Sequence, residues 1–509
     1  MSSVTPISVL AADNTAKRSC ALEISSVVDT PLKEAADLRA WIKIWDQELN
    51  DRYSGKTTRK SIPRSWRISR RDRRATEGYF HRTGDTIIQS LQDVQGQVNN
   101  DLNEITARSL LGKIQGDIRK HHFADKLTLA VKGREFERFK RKTNEAIDNS
   151  GAAQIPFAKM QQFLAEYQAH VSGLKEKYGE DLFPREVFLK AGFDVFAMFM
   201  LSEILEVPIP SKDSVYALAL LHPITDSALD SGINVGPTMQ KITAQLKGEK
   251  VEAESTYESA VFGLIDQILS DFPSSQNPMA QTLLQDLHAE QLDSVRIQKD
   301  GSEEELVHNT LRKGALTYLL FAHLGLGELT IGQAKYFYAG GAILQLIDDM
   351  LDMKDDLSEE QNTVWTLSFK KNKRVREPFL KTMGLRKSLE QEADELLGIT
   401  DNKRKIISSF DFSIRLFFLA AMTDPFVGPA LARDARSIAP MSSEGMSELS
   451  TTLLDVMALK PGAEQTLLEV FDMGFSNGRY YSSLNGGREL SADQKLNLAK
   501  NKPGWWLTL

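Results

Sequence analysis

The sequence predicts an all-α fold, on three observations. Apolar residues recur at three- and four-residue intervals through 76–120, 125–148, 156–178 and 185–204, the period of an amphipathic helix. Alternating apolar and polar runs, the mark of half-buried strands, are nearly absent. Clusters of Gly, Pro, Asn and Asp separate the periodic segments: Asn149-Ser150-Gly151, Tyr178-Gly179-Glu180-Asp181 and Val207-Pro208-Ile209-Pro210. About fifteen helices are expected, with no internal repeat and no glycine-rich nucleotide loop.

The composition suits a globular chain of 509 residues, 41% hydrophobic and 26% charged. With 62 Lys and Arg against 69 Asp and Glu, the net charge is −7, which argues against a protein that coats nucleic acid. Cys20 is the single cysteine, so neither an internal disulfide nor a Cys-based zinc site is available, and a reducing, cytoplasmic location is expected. No apolar run reaches the length of a membrane span. The short run Ile7–Ala12 has no basic region ahead of it, which argues against a secretory signal.

Taken in order, residues 1–30 are Ser/Thr-rich and expected to be a disordered leader. Residues 31–150 are expected to form a helical N-terminal region. Within it, Arg52 to Arg74 holds ten Arg or Lys and one acid, Asp72, either a solvated basic loop or a surface for anionic lipid or a phosphorylated partner. Residues 151–509 are expected to form the main helical domain. It ends in Trp505-Trp506, which suits docking onto the protein or at most peripheral membrane contact.

The most informative segment runs from Tyr338 to Asp356. It is apolar up to Ile347, and then acids appear. On a helix, Gln345, Asp348, Asp349, Asp352, Asp355 and Asp356 fall within an arc of roughly 120°. Like charges four residues apart repel, and acids oppose the dipole at a helix C-terminus. A compensating cation resolves both costs. Oxygen ligands without His or Cys suit Mg²⁺ or Mn²⁺, and Mg²⁺ typically shares itself between a few carboxylates and substrate phosphates. The alternative is a solvated acidic helix end.

A second acidic pair, Asp226 and Asp230, shares a helix face 122 residues before Asp348. Its helix is expected to start with Ser211 as N-cap, carry Asp213 in its first turn, bend at Pro223 and stop at Gly232. A surface pair is the plain alternative.

These residues carry a family resemblance. Gly341-x3-Gln345-x2-Asp348-Asp349-x2-Asp352 resembles the second aspartate-rich motif of trans-prenyl diphosphate synthases. Asp348, Asp352 and Asp356 also match the i, i+4, i+8 metal triad of terpene cyclases, though all three are Asp. Asp226-x3-Asp230 and the Gln361-Asn362-Thr363 continuation resemble squalene/phytoene-type and large-terpene synthases more than chain elongators. The resemblance covers roughly residues 185–485, within the class I isoprenoid synthase superfamily. It implies a class I helical bundle preceded by an extra helical N-terminal region, with 151–509 as the catalytic domain.

It further implies Mg²⁺ (or Mn²⁺) held by Asp226, Asp230, Asp348, Asp349, Asp352 and Asp356. Diphosphate contacts are expected from Gln345, from Lys313 and Arg312 at the opening of the helix before it, and from Arg479 and Tyr480, similar to the Arg-Tyr pair of terpene cyclases. Lys370, Lys371, Lys373 and Arg374 are candidates for a lid or a solvated basic loop, and Phe193, Phe196, Phe199, Tyr318 and Phe321 for an apolar wall, although such spacing more often means plain core. The expected function is ionisation of a prenyl diphosphate by a terpene synthase. A prenyltransferase coupling two prenyl units, squalene/phytoene-type or chain-elongating, and a non-catalytic binding protein of the same fold are the alternatives, and a homodimer is among the expected states. No Asp-x-Asp-Asp segment supports protonation-initiated cyclisation.

Overall fold

In the computed structural model, the described residues are 28–32, 38–56, 151, 154–231, 235–276, 278–372, 374–398 and 401–423, with scattered positions between 61 and 149 and at 427 and 431. Every regular element among them is a helix. In chain order these are α1 (Leu38–Ser54), α2 (Phe157–Tyr178), α3 (Arg185–Leu205), α4 (Lys212–Ser231), α5 (Val235–Leu246), α6 (Thr256–Asp271), α7 (Met279–Asp300), α8 (Glu303–Leu326), α9 (Ile331–Leu351), α10 (Met353–Ser358), α11 (Val364–Asn372), α12 (Arg376–Leu396) and α13 (Asp401–Thr423). None is long and apolar enough to cross a membrane. The predicted segments 156–178 and 185–204 match α2 and α3, whereas 76–120 and 125–148 lie almost wholly outside the described residues.

Capping chemistry fixes the helices that matter most. Ser211 Oγ accepts from the Ser214 backbone N–H at 3.1 Å, so α4 starts where the sequence placed it. Ser302 and Glu305 form a capping box at the start of α8, and Thr330 and Gln333 form another at α9. Pro223 sits inside α4 without ending it. The Thr225 hydroxyl donates to the Leu221 carbonyl at 2.8 Å in the turn that Pro223 interrupts.

The paired helices α8 and α9 form the centre. Helix α7 flanks α8, α12 flanks α9, and α3 and α4 pack against α8 from the other side. The apolar core is continuous and includes Ile42, Trp45, Leu49 and Tyr53 of α1. That helix falls in the expected helical N-terminal region, 31–150, and its apolar face joins the core formed by the later helices. Val28 is buried, Leu32 N–H donates to the Leu329 carbonyl at 2.7 Å, and Ile331 N–H donates to the Thr30 carbonyl at 2.9 Å. The docked chain therefore reaches back to Val28, inside the stretch expected to be a disordered leader.

Candidate active site

The site is built on the crossing of α8 and α9. Gly314 and Gly341 face one another there: a Cβ on Gly314 would lie 2.6 Å from the Gly341 carbonyl oxygen, and one on Gly341 would lie 2.5 Å from Tyr318 Cβ. Only two glycines allow backbones this close. The contact sets the register, bringing Thr310 and Lys313 of α8 level with Gln345, Asp348 and Asp349 of α9. Gln345 Nε2 donates to Asp349 Oδ1 at 3.0 Å and reaches Asp348 Oδ2 at 3.4 Å, and the Thr310 hydroxyl approaches Asp349 Oδ2 at 3.4 Å.

The acidic stripe expected on one helix crosses a break. Helix α9 ends at Leu351, with Asp352 as its cap at φ −79° and ψ −7°, and α10 follows. The i, i+4 hydrogen bonds nevertheless continue, from Asp352 N–H to the Asp348 carbonyl and from Asp356 N–H to the Asp352 carbonyl, both at 3.0 Å. Asp348, Asp352 and Asp356 thus keep their common face, running from exposed at Asp348 to buried at Asp356.

Asp226 of α4 stands opposite. Its carboxylate lies 3.8 Å from Lys313 Nζ, 3.5 Å from His222 Nε2 and 3.4 Å from Gln291 Nε2. Helix α3 adds Asp194 and, one turn earlier, Lys190. Burial pushes the Asp194 carboxyl up to about 7, and the charge of Asp348 adds to it. Burial likewise pushes Asp349 up to about 7, with the Gln345 hydrogen bond opposing and Asp348 reinforcing the rise. Asp348 is raised by burial against the pull of Lys313, His222 and Lys190. The His222 imidazole is lowered, again chiefly by burial. Asp348 is exposed to water on one side, with Lys313, His222 and Lys190 close enough for their charges to act on it. Helices α3, α4, α8 and α9 therefore converge on one space carrying carboxylates on three sides and lysines on two.

Not every expected residue comes to this space. Arg312, one residue before Lys313, is held on another flank of α8 by Asp46, by Glu290 at 2.7 Å and by Asp286 at 3.7 Å. Neither residue opens its helix: α8 begins at Glu303, so both sit in its interior. Lys370 donates to Asn362 and Lys371 pairs with Glu303. Phe196, Phe199 and Phe321 are buried core, while Phe193 and Tyr318 are only partly covered. The side chains of Asp230 and Asp355, and Arg479, Tyr480, Trp505 and Trp506, lie outside the described residues. Sequence reasoning missed Asp194, Lys190, His222 and Gln291. The available signal was a Lys-x3-Asp pair inside the otherwise apolar run of α3.

Among the described residues, no three His, Cys, Asp or Glu side chains converge into a ready-made metal cage. The donor set still fits Mg²⁺ or Mn²⁺. It is all-oxygen, and carboxyls pushed up toward neutrality are stabilised as anions by an added cation. No protein-family model, curated protein or solved structure matches this chain.

Proposed function

We propose that this chain is a class I terpene synthase, a helical bundle acting in the cytoplasm that ionises a prenyl diphosphate and lets the carbocation cyclise or be quenched. The observation that carries this is the placement of Asp226 of α4 and Lys313 of α8, 3.8 Å apart, within electrostatic reach of Asp348 of α9 and beside Asp349. Acids for a divalent cation and a lysine for the leaving group then share one space.

Asp226, Asp348, Asp349 and Asp352 would hold Mg²⁺, with Asp230 and Asp356 completing the set implied by the motifs. Bound metal supplies Lewis-acid neutralisation of the charge that develops on the departing diphosphate. Lys313 exchanges Asp226 for a diphosphate oxygen when substrate enters, placing a positive charge where negative charge grows. Lys190 adds to the same field from α3. Gln345 holds both carboxyls of α9 in position through its amide. Phe193 and Tyr318, the partly covered aromatics, suit an apolar wall whose ring faces stabilise a cation.

The test is product analysis of the purified protein with Mg²⁺ and single prenyl diphosphates of increasing chain length. A hydrocarbon or alcohol from one diphosphate supports the proposal. Product that forms only with a second prenyl substrate makes the chain a coupling enzyme instead. Failure to release diphosphate from any of them contradicts both.

A further inference from the structure

Arg312, which does not reach the acidic cluster, lines a groove elsewhere. This groove, of about 530 Å³, runs between α1, α7 and α8. That volume is within the roughly 300–1,000 Å³ usual for small-molecule sites. None of its lining side chains is apolar. Three cations line it, Arg39, Lys43 and Arg312, against two carboxylates, Asp46 and Asp286.

The charges are arranged in a fixed ladder. Asp286 sits between Arg39, at 2.9 Å, and Arg312, at 3.7 Å. Arg312 is also tied to Asp46 and Glu290, and Arg39 donates to Gln285 at 3.0 Å. These pairings orient both guanidinium groups and so reduce the cost of ordering them around a ligand. Asn50 Nδ2 lies 2.8 Å from His308 Nδ1. An amide donor there makes Nδ1 the acceptor and leaves Nε2–H as a further donor. Lys43 forms no ion pair or hydrogen bond among the described residues. With Glu290 counted the charges of the ladder balance, and beyond its pairs the groove offers an uncommitted ammonium and preset donors.

We infer that this groove is a second binding site, for a small molecule with a phosphate or diphosphate group on a polar body. A prenyl chain has no wall to lie against there. The inference goes beyond the proposed synthase activity and is independent of it.

Inorganic diphosphate is the probe, titrated by calorimetry in metal-free buffer with chelator. Without metal, the acidic cluster of Asp226, Asp348 and Asp349 repels it. The wild-type protein is expected to bind it saturably. Lys43→Glu is expected to weaken binding at least tenfold with an unchanged melting temperature, because Lys43 is an exposed side chain. Lys313→Ala is expected to leave it unaltered. Absence of saturable binding would overturn the inference. So would loss of binding in Lys313→Ala with Lys43→Glu unaffected. Prenyl diphosphate turnover in Mg²⁺ is a separate measurement, so failure here leaves the proposed activity standing.

Discussion

Asp349 keeps its proton to about pH 7 because burial penalises its anion and Asp348 repels it. An unfolded Asp loses that proton near pH 3.9. Between those values the folded state binds more protons than the unfolded state, so stability falls as pH rises through the window. Asp194 acts with the same sign. These two carboxyls therefore lower the melting temperature of the metal-free protein at pH 8 relative to pH 5, against the opposite contribution of the buried His222 imidazole. Asp349→Asn should remove part of the difference, on the order of 1–2 kcal/mol, seen as a raised melting temperature at pH 8. Added Mg²⁺ should narrow the gap in the wild type. For Lys313→Ala, the expected effect on diphosphate release is a fall of about 10²–10³-fold in kcat, the scale for removing one charge-stabilising donor. Single-turnover kinetics would check it. At this scale, Asp226, Asp348 and Asp349 were legible because acids at helical spacing against an apolar face are unusual. Asp194 was not, because a lone acid in α3 acquires meaning only when α9 is placed opposite it. Arg312 was grouped with Lys313, yet neighbours on a helix point about 100° apart, and Arg312 pairs with Asp46 and Glu290 instead.

Helices α8 and α9 touch through Gly314 and Gly341, and every donor–carboxylate distance between them depends on that contact. Gly314→Ala or Gly341→Ala would force a methyl group against the partner backbone or Tyr318. Each is expected to destabilise by roughly 1–3 kcal/mol, the usual cost of overpacking, and to weaken Mg²⁺ binding as the helices move apart. Chemical denaturation and metal titration measure the two effects. Gly341 was visible in the sequence as a motif position, but its physical reason was not, since the partner glycine lies on another helix. The helix boundaries were more accessible. Ser211 was identified as a cap from local chemistry alone. The break of α9 at Asp352 was missed because the apolar period continues through it.

Helix α1 ties the whole molecule together. Asp46 is buried, accepts from the Tyr338 hydroxyl at 2.5 Å and pairs with Arg312, so it joins α1 to both α8 and α9. Trp45 packs against the Tyr338 ring at 5.4 Å. Asp46→Ala takes one partner from the half-buried Arg312 guanidinium, although Glu290 remains, and leaves the buried Tyr338 hydroxyl without its acceptor. The expected cost is about 3 kcal/mol, the low end for breaking a buried pair, read as a lowered denaturation midpoint. That α1 joins the main core was not legible, because an amphipathic helix does not state which core it covers. The all-α class was legible, because it rests on local period alone.

The most direct test of the acidic cluster compares the wild type with the Asp226→Asn, Asp349→Asn double variant in Mg²⁺-dependent release of diphosphate from prenyl diphosphates. Release by the wild type and its loss in the variant, with folding intact by circular dichroism, is the predicted result. Undiminished release by the variant, or no release by the wild type from any chain length, would contradict the proposed site.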